Sequence, residues 1–415
     1  MSFTALGLNH QICFSLEEKN YTKPTDIQTS VIPLVFKKKD IVAQAQTGSG
    51  KSASFILPIL QLWSESRDNA KKGKIKALIL TPTRELTLQV ATAFSEFAKL
   101  LPKKPQVISI IGGEKIGDQL FDIQQGCDIL VATSGRFLEI LSKKQMNLEY
   151  LEHFVLDEAD KMLDLGFEEE LELILESIPT KRQNLMFSAT YPPKMLRIAS
   201  KITSDAIEVK IAEQTPVVQS INQRVIEVNR ENRGPLLRHL LKEHKWHLVL
   251  VFMANKRATD NIAEKFRKYG FKAASFNADL EQDVRNDTLK AFKEGKVNIL
   301  FATDIAARGL DIDDVDCIVN YDLPRSPADY IHRIGRTARA GKSGEALSFI
   351  DYETAAHFKL IEKRGAIKLI RESIEGFELL GDAPKKVKGP APVKGKKKSK
   401  KDKLREKMAL EKSAK

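Results

Sequence analysis

The chain has 415 residues, of which 42% are hydrophobic and 29% charged, and its length predicts two or three globular domains. Its three cysteines (Cys13, Cys127 and Cys317) lack zinc-type or disulfide-type spacing, and its longest apolar runs, such as 248–254, are too short to cross a bilayer. The N-terminus has no basic region followed by a long apolar run, so we predict a cytoplasmic protein without membrane contact.

In the first half of the chain, short apolar runs rich in β-branched residues recur, and each is followed by a helix-like stretch. Six such runs predict strands, at 40–45, 76–82, 106–112, 127–133, 153–159 and 183–190. Continuous apolar strands that alternate with helices are typical of a parallel sheet covered by helices on both faces.

The glycine-rich segment AQTGSGKS begins at Ala45, between the predicted strand IVAQA and the helix-like SASFILPILQLW. Gly48 and Gly50 let backbone N–H groups turn toward phosphate, Lys51 can reach the β and γ phosphates, and the Ser52 hydroxyl can ligate magnesium. The alternative is a plain Gly/Ser turn with an exposed lysine. The flanking strand and helix favour a P-loop.

A second charged motif, VLDEADKML, follows the predicted strand at 153–159 and places Asp157, Glu158 and Asp160 within four residues. One interpretation is that these acids open a helix, where they meet free N–H groups and the positive end of the helix dipole. The other is a magnesium site, since magnesium prefers oxygen ligands and shares them with phosphates. Given the P-loop, we expect Asp157 to hold magnesium, and Glu158 to activate or orient the attacking water.

The second half repeats this style, with strands predicted at 247–253, 271–277, 297–304 and 315–322. The seam between two α/β domains is expected at about 205–235, where helical periodicity is absent before ENRGP (231–235) starts a helix. The predicted domains are 1–210 and 211–380.

The remaining segment, 381–415, is a predicted disordered basic tail, because it is rich in Lys, Pro and Gly and poor in apolar residues. Residues 385–415 contain fourteen cations and three anions, a net charge of +11 out of the +12 of the whole chain. We therefore expect the tail to hold RNA through its phosphates, while the body of the protein is nearly neutral. A merely solubilising tail is the alternative.

Together these motifs resemble the DEAD-box family of ATP-dependent RNA helicases, because DEAD stands at 157–160 and further family motifs follow in order over residues 3–350. The resemblance implies an α/β fold with two tandem RecA-like parallel-sheet domains, helices on both faces of each sheet, and the basic tail. It also implies RNA-stimulated ATP hydrolysis, local unwinding of short RNA duplexes, and ATP and Mg²⁺ as cofactors.

The resemblance assigns the nucleotide contacts to the segment around YTKPTDIQ, to the P-loop and to the second domain. These residues are Tyr21, Gln28, Ala45, Gln46, Thr47, Gly48, Ser49, Gly50, Lys51, Ser52 and Asp311. Magnesium is assigned to Ser52 and Asp157. Catalysis is assigned to Lys51, Asp157, Glu158, Arg336 and Arg339, the last two as arginine fingers from HRIGRTARAG. Core packing is the alternative for Tyr21.

The same resemblance assigns RNA-backbone contacts to Arg84, Gly113, Thr133, Arg136, Gln282, Arg285, Thr303 and Arg308. It assigns coupling between ATP and RNA to Asp160, Ser188, Thr190 and His332. The chain departs from the family pattern at Asn20, Ser134 and Ala338, where the family commonly has Gly, Pro and Gly. Asn tolerates left-handed backbone, so we expect the turn at Asn20 to persist.

Three rival functions remain at this point. A GTPase is disfavoured because NKRA (255–258) lacks the carboxylate that reads guanine, and an RNA clamp is disfavoured by the intact catalytic residues. A DNA translocase is disfavoured by the DEAD motif. The lysine-rich tail looks like that of bacterial members, whose RNA partners include ribosomal precursors and RNA in decay or cold adaptation.

Overall fold

The computed structural model describes residues 1–45, 48–66, 74–191, 193–203, 205–211, 221–307, 312, 315–338, 344–365 and 367–381. These residues form two sheets of seven parallel strands each, flanked by helices. None of the helices in these ranges is long and apolar enough to span a membrane. The predicted basic tail, apart from Gly381, lies outside the described residues.

The first domain contains the first seven strands and nine α-helices of the described chain. Its strands are β1 (Ile41–Gln44), β2 (Ala77–Thr81), β3 (Val107–Ile110), β4 (Ile129–Thr133), β5 (His153–Leu156), β6 (Gln183–Ser188) and β7 (Ile207–Lys210). Its helices are α1 (His10–Glu17), α2 (Asp26–Phe36), α3 (Lys51–Glu65), α4 (Arg84–Phe97), α5 (Ile116–Gln125), α6 (Ser134–Ser142), α7 (Ala159–Asp164), α8 (Glu168–Ser177) and α9 (Pro193–Ile202). A 3₁₀ turn, Thr4–Leu6, precedes them.

The second domain starts with β8 and has fewer helices among its described residues. Its strands are β8 (Ile221–Glu227), β9 (Val249–Met253), β10 (Ala273–Phe276), β11 (Ile299–Thr303), β12 (Cys317–Asn320), β13 (Gly344–Ile350) and β14 (Arg371–Glu372). Its helices are α10 (Arg233–Glu243), α11 (Lys256–Lys268), α12 (Gln282–Lys293), α13 (Asp304–Ala307), α14 (Pro327–Ile334) and α15 (Ala355–Gly365), with a 3₁₀ turn at Arg230–Asn232.

The two sheets share one topology. The first has the strand order β3-β4-β2-β5-β6-β1-β7 and the second has β10-β11-β9-β12-β13-β8-β14, so every strand has a counterpart seven strands later. In parallel sheets of this kind, the carboxyl ends of the strands form the edge at which ligands bind. The same edge of each domain is therefore available for functional residues.

The cores lie on both faces of each sheet, which explains the continuous apolar strands. In β5, Val155 packs into the core on one face, while Phe154 and Leu156 pack on the other. In β9, Leu250 and Val251 likewise face opposite cores. Because successive side chains of a strand alternate between faces, a strand buried on both sides is mostly apolar along its whole length.

The predicted parallel α/β fold is confirmed, and each of the ten predicted strands is present, shortened by two to four residues. Four further strands, β7, β8, β13 and β14, were not predicted. The sheet-edge strand β7 is short and half exposed, and β8 (INQRVIE) mixes polar with apolar residues, so neither has a continuous apolar run. The segment 212–220 between them lies outside the described residues, and the domain boundaries stay a prediction.

Candidate nucleotide site and interdomain cleft

The glycine-rich loop connects β1 to α3, as the P-loop interpretation requires. Gly48 and Gly50 have φ angles of +82° and +91°, a backbone region that side chains other than glycine rarely adopt. A Cβ atom at Gly50 would lie 2.5 Å from Nε2 of Gln28, so glycine is also required for space. Ala45 is buried at the end of β1, Ser49 is part of the turn, and the predicted residues Gln46 and Thr47 lie outside the described residues.

Lys51 is the first residue of α3 and is only 6% exposed. Its Nζ donates a hydrogen bond to the carbonyl oxygen of Ala45 at 2.7 Å, so the ammonium lies within the curve of the loop. Burial lowers the pKa of Lys51, while Asp157 and Glu158 act in the opposite direction. A desolvated ammonium at this place favours an incoming anion.

The acidic motif lies beside the loop. The backbone N–H of Asp157 donates to the carbonyl oxygen of Leu80 at 3.0 Å, which continues the pairing of β5 with β2 by one residue. Ser52 Oγ then donates to Asp157 Oδ2 at 3.2 Å. Glu158 has a left-handed φ of +50° and directly precedes α7. The two neighbouring carboxylates, Asp157 and Glu158, therefore lie in the turn between β5 and α7.

Burial and, to a smaller extent, the charge of Glu158 together raise the pKa of Asp157 to about 6, against the lowering influence of Lys51. An elevated carboxyl pKa means that the charged form lacks enough compensation from the protein. A bound cation would supply that compensation.

The motif SAT (188–190) lies against the third carboxylate of DEAD. Asp160 Oδ2 accepts hydrogen bonds from Thr190 N at 3.1 Å and from Thr190 Oγ1 at 2.9 Å. Ser188 Oγ donates to the carbonyl oxygen of Thr190 at 2.7 Å. Asp160 therefore connects α7 to the residues that follow β6, and its coupling role stays a prediction.

The segment predicted to read adenine lies at the edge of the same site. Tyr21 is 43% exposed, lines the cleft, and contacts Phe97 edge-on with 5.9 Å between ring centroids. Gln28 is buried under the loop: its Oε1 accepts from Thr25 N at 2.9 Å, and its Nε2 donates to Gly50 O at 3.2 Å. Its adenine contact stays a prediction, because binding a base would require the amide to leave these partners.

The sequence departures have distinct local outcomes. Asn20 adopts the expected left-handed conformation, with φ of +61°, and Ala338 does so with φ of +57°. An alanine in this region is strained, because its Cβ approaches the following carbonyl oxygen. Ser134 starts α6 and donates through Oγ to Met162 Sδ at 3.8 Å, so a hydroxyl contact replaces the fixed backbone of proline.

The cleft between the domains has a volume of about 1180 Å³ and contains the P-loop, Asp157 and Glu158 on one wall. Arg336, in the turn after α14, lines the opposite wall together with the end of α12. The fold thus brings this predicted finger to the same cavity as the phosphate site. Arg339 and Asp311 lie outside the described residues.

Three of the predicted RNA-binding residues meet across the cleft. Arg84 Nη1 donates to Gln282 Oε1 at 3.4 Å, and Arg285 Nε donates to Glu85 Oε1 at 2.6 Å. The side chains of Arg285 and Glu85 are only 6% and 10% exposed. Sequence reasoning selected Arg84 and overlooked Glu85, the next residue of the same motif. The Glu85 carboxylate forms a salt bridge with Arg285 of the second domain.

Other predicted RNA contacts lie at strand ends or inside the first domain. Thr133 and Thr303 are the last residues of β4 and β11. Gly113, with φ of +91°, packs against Arg84, whose Nη1 would be 2.5 Å from an added Cβ. Arg136 is buried and donates to Gln119 Oε1 and Glu114 O at 2.9 and 3.0 Å. These roles stay predictions, and Arg308 lies outside the described residues.

His332 lies on α14 at the domain interface, with Nδ1 3.0 Å from Nζ of Lys161. Lys161 directly follows DEAD, and sequence reasoning did not select it. The signal available in the sequence was its position directly after DEAD, within the helix ADKMLD.

A glycine-rich phosphate loop, a neighbouring acidic pair and an arginine from a second α/β domain define a P-loop nucleotide-binding protein whose site is shared by two RecA-like domains. The family described as DEAD/DEAH box helicase matches residues 25–198, and the helicase conserved C-terminal domain matches residues 233–341. The chain belongs to the DEAD-box helicase family.

Relatives and solved structures agree over most of the chain. The DEAD-box ATP-dependent RNA helicase CshA of Geobacillus kaustophilus is 37% identical over 382 residues, which cover 90% of this chain and 80% of that protein. Dbp5 of S. cerevisiae bound to RNA and ADP BeF3 is 30% identical, with a TM-score of 0.79 over 90% of this chain and 95% of that chain. The helicase Mss116 bound to ssRNA and UDP-BeF is 25% identical, with a TM-score of 0.81 over 90% and 80%.

Proposed function

We propose that this protein is an RNA-stimulated ATPase that unwinds or remodels short RNA duplexes and RNA–protein complexes. One observation carries the proposal: the P-loop and Glu158 lie in the first domain and Arg336 in the second, yet all of them line one cleft. Neither domain holds all of these groups, so hydrolysis requires that the domains be brought together. RNA bound across both domains would favour that arrangement.

ATP and Mg²⁺ are the cofactors that fit the site. Ser52 and Asp157 would hold the cation, because their oxygens are 3.2 Å apart and the buried carboxylate lacks a full counter-charge. Bound Mg²⁺ would neutralise phosphate charge. Glu158, adjacent to Asp157, would orient the attacking water or accept its proton, and Arg336 would stabilise charge that develops on the γ-phosphate.

RNA is the proposed partner, held through phosphates and 2′-hydroxyls rather than base edges. The named relative is an RNA helicase, and the two named structures contain RNA. The basic tail would add sequence-independent affinity. Ribosomal precursors and RNA in decay, both in the cytoplasm, are the two substrate classes to compare.

The test is ATP turnover with and without single-stranded RNA, for the wild type and for Glu158→Gln. We expect strong RNA stimulation in the wild type and a loss of turnover on the order of 10²–10⁴-fold in the variant, with ATP binding retained. Glu169→Gln, an exposed glutamate on α8, serves as the matched control. GTP in place of ATP, and DNA in place of RNA, test the rival functions.

Absence of RNA stimulation in the wild type would overturn the helicase proposal and leave an ATPase or a clamp. Equal stimulation by DNA would point to a DNA translocase. Turnover of GTP but not ATP would point to a GTPase.

A further inference from the structure

Lys161 is a buried cation at the domain interface with no role in the proposed reaction. Its side chain is 9% exposed, and its Nζ lies 3.0 Å from Nδ1 of His332 and 3.9 Å from Oδ1 of Asp329. Both partners lie on α14 in the second domain, three positions apart and therefore on one helix face. The ammonium thus contacts the second domain at two adjacent points.

The partner imidazole is prepared to accept this hydrogen bond. Burial and the neighbouring Lys161 lower the pKa of His332 to about 4, opposed by Asp160 and Asp329. At physiological pH the ring is neutral, so Nδ1 can accept from the ammonium while the ring proton resides on Nε2. The contact between Lys161 and His332 is a hydrogen bond and therefore depends on the orientation of both groups. An ion pair between two surface charges depends much less on orientation.

The helix that carries His332 is itself fixed to the strand ends of the second domain. Arg333, the next residue, donates to both carboxylate oxygens of Asp304 at 2.6 Å and to Asn320 Oδ1 at 2.9 Å. Its guanidinium also stacks over the ring of Phe252, 4.7 Å from the centroid. These contacts fix the position of α14, and with it His332, relative to the carboxyl ends of β9, β11 and β12.

On its own side of the cleft, Lys161 lies in the short helix that directly follows the catalytic carboxylates. Glu158 precedes α7, Asp160 bonds Thr190 from within it, and Lys161 is the following residue. On the other side, Arg336 follows the end of α14 by two residues. Lys161 and His332 therefore join the turn that carries the water-activating group to the turn that carries the finger.

We propose that Lys161 is a positioning residue that aligns Arg336 with the phosphate site when the domains come together. It neither contacts phosphate nor moves a proton in this role. The proposal rests on the proposed function, because alignment of a finger has meaning only if ATP is hydrolysed in the shared cleft.

The test uses the full chain with Lys161→Met, which keeps the aliphatic stem and removes the donor, and Lys161→Arg, which keeps a cationic donor. Lys76→Met is the matched control: Lys76 is 9% exposed and paired with Glu152 at the opposite end of the first sheet. The measurements are kcat and KM for ATP with saturating RNA, and ATP affinity without RNA.

We expect Lys161→Met to lower kcat on the order of ten- to one-hundredfold, the range for loss of a hydrogen bond to a charged group. ATP affinity without RNA should be unchanged, and Lys161→Arg should recover part of kcat. A structural role alone would instead reduce stability and all parameters together, as for a buried pair inside one domain. Lys76→Met should lower stability without a selective loss of kcat.

A double-mutant cycle with His332→Ala completes the experiment. If the two side chains act as one contact, the second substitution adds little to the first. Additive effects, or an unchanged kcat in Lys161→Met while the wild type shows RNA stimulation, would overturn the inference. Absence of RNA stimulation in the wild type would overturn the proposed function itself, so the two failures are distinguishable.

Discussion

The carboxyl edges of the two sheets have the same topology and similar charges, but they compensate these charges differently. Lys51 begins the helix after β1 and Arg233 begins the helix after β8, the counterpart of β1. Asp157 follows β5, and Asp322 follows its counterpart β12. Each domain therefore places a cation and an aspartate at the position where a P-loop protein binds phosphate.

What differs is how the charges are compensated. In the second domain Arg233, only 3% exposed, donates to Asp322 Oδ1 at 3.1 Å, to Asp351 Oδ2 at 2.7 Å and to the carbonyl oxygen of Tyr321 at 2.9 Å. In the first domain, burial lowers the pKa of Lys51 and raises that of Asp157. One edge is filled by its own ion pairs, whereas the other needs phosphate and a cation to be compensated.

The substitution with the largest expected effect is at Arg336. It tests whether the second domain acts on the nucleotide through this arginine rather than through the carboxyl edge that Arg233 occupies. Arg336→Ala should lower kcat by about 10³–10⁵-fold, because charge developing on the γ-phosphate would lose its partner from across the cleft. RNA-stimulated turnover measures this, with Arg364→Ala, an exposed arginine on α15, as the control. A loss below tenfold would contradict the finger assignment.

Matching substitutions of the two cations, Arg233 and Lys51, compare the two carboxyl edges directly. Arg233→Met should lower the free energy of unfolding by up to about 3–5 kcal/mol, because it leaves two partly buried carboxylates without their buried cation. Lys51→Met should abolish ATP binding and change that free energy less, because relief of a desolvated ammonium offsets the lost hydrogen bond to Ala45 and the lost attraction to Asp157. Urea unfolding and ATP titration of both variants measure this. Equal stability losses would show that the two edges do not differ as described.

Because of Asp157, the stability of the first domain should depend on pH. Its pKa is about 6 in the folded protein and 3.8 as the ordinary value, so the folded state binds more protons and stability falls as pH rises from about 4 through about 6. The full loss is about 3 kcal/mol at neutral pH without a cation. Asp157→Asn should therefore raise the melting temperature at pH 7.5 in chelator by several degrees.

Two controls accompany that measurement. At pH 4 the wild type and Asp157→Asn should melt alike, and with Mg²⁺ and ATP the wild type should regain the difference. A variant that is less stable than the wild type in chelator at pH 7.5 would show that the carboxylate is compensated by the protein alone.

The smallest effect concerns the backbone near the finger. Ala338→Gly should raise the free energy of unfolding by about 1 kcal/mol, because glycine adopts the left-handed conformation without strain. Ala291→Gly, inside α12, should change it by a similar amount in the opposite direction. Denaturant unfolding of both variants measures the difference. A loss of stability in Ala338→Gly would argue that the alanine is not strained.

Much of the fold was predictable because both faces of the central strands are buried, which leaves uninterrupted apolar runs such as β4 and β9. Three of the four missed strands (β7, β8 and β14) lie at or beside sheet edges, where polar residues are tolerated and that signal fades. The fourth, β13 (GEALSFI), lies inside its sheet but has polar residues between its apolar ones. The loop residues around Lys51 and the acids after β5 were predictable because their chemistry needs fixed spacing within a short segment.

The interdomain contacts were not predictable in the same way. Glu85 and Arg285 are 200 positions apart in the sequence. Lys161 and His332 are 171 positions apart. Which of several surface charges meet across a cleft depends on the placement of two rigid bodies, and no local pattern records that placement. The sequence therefore singled out Arg285, whose RNA contact stays a prediction, but no local pattern indicated Glu85 as its partner in the structure.

The pairing of Arg285 with Glu85 has a consequence for counterion release. Binding to nucleic acid weakens with salt in proportion to the number of phosphates that protein cations neutralise. A guanidinium already held by a carboxylate, and another held inside the first domain as Arg136 is, displace few counterions when RNA arrives. The salt dependence of RNA affinity should then be set mainly by the lysines after residue 384, although the shape of the complex is set by the two domains.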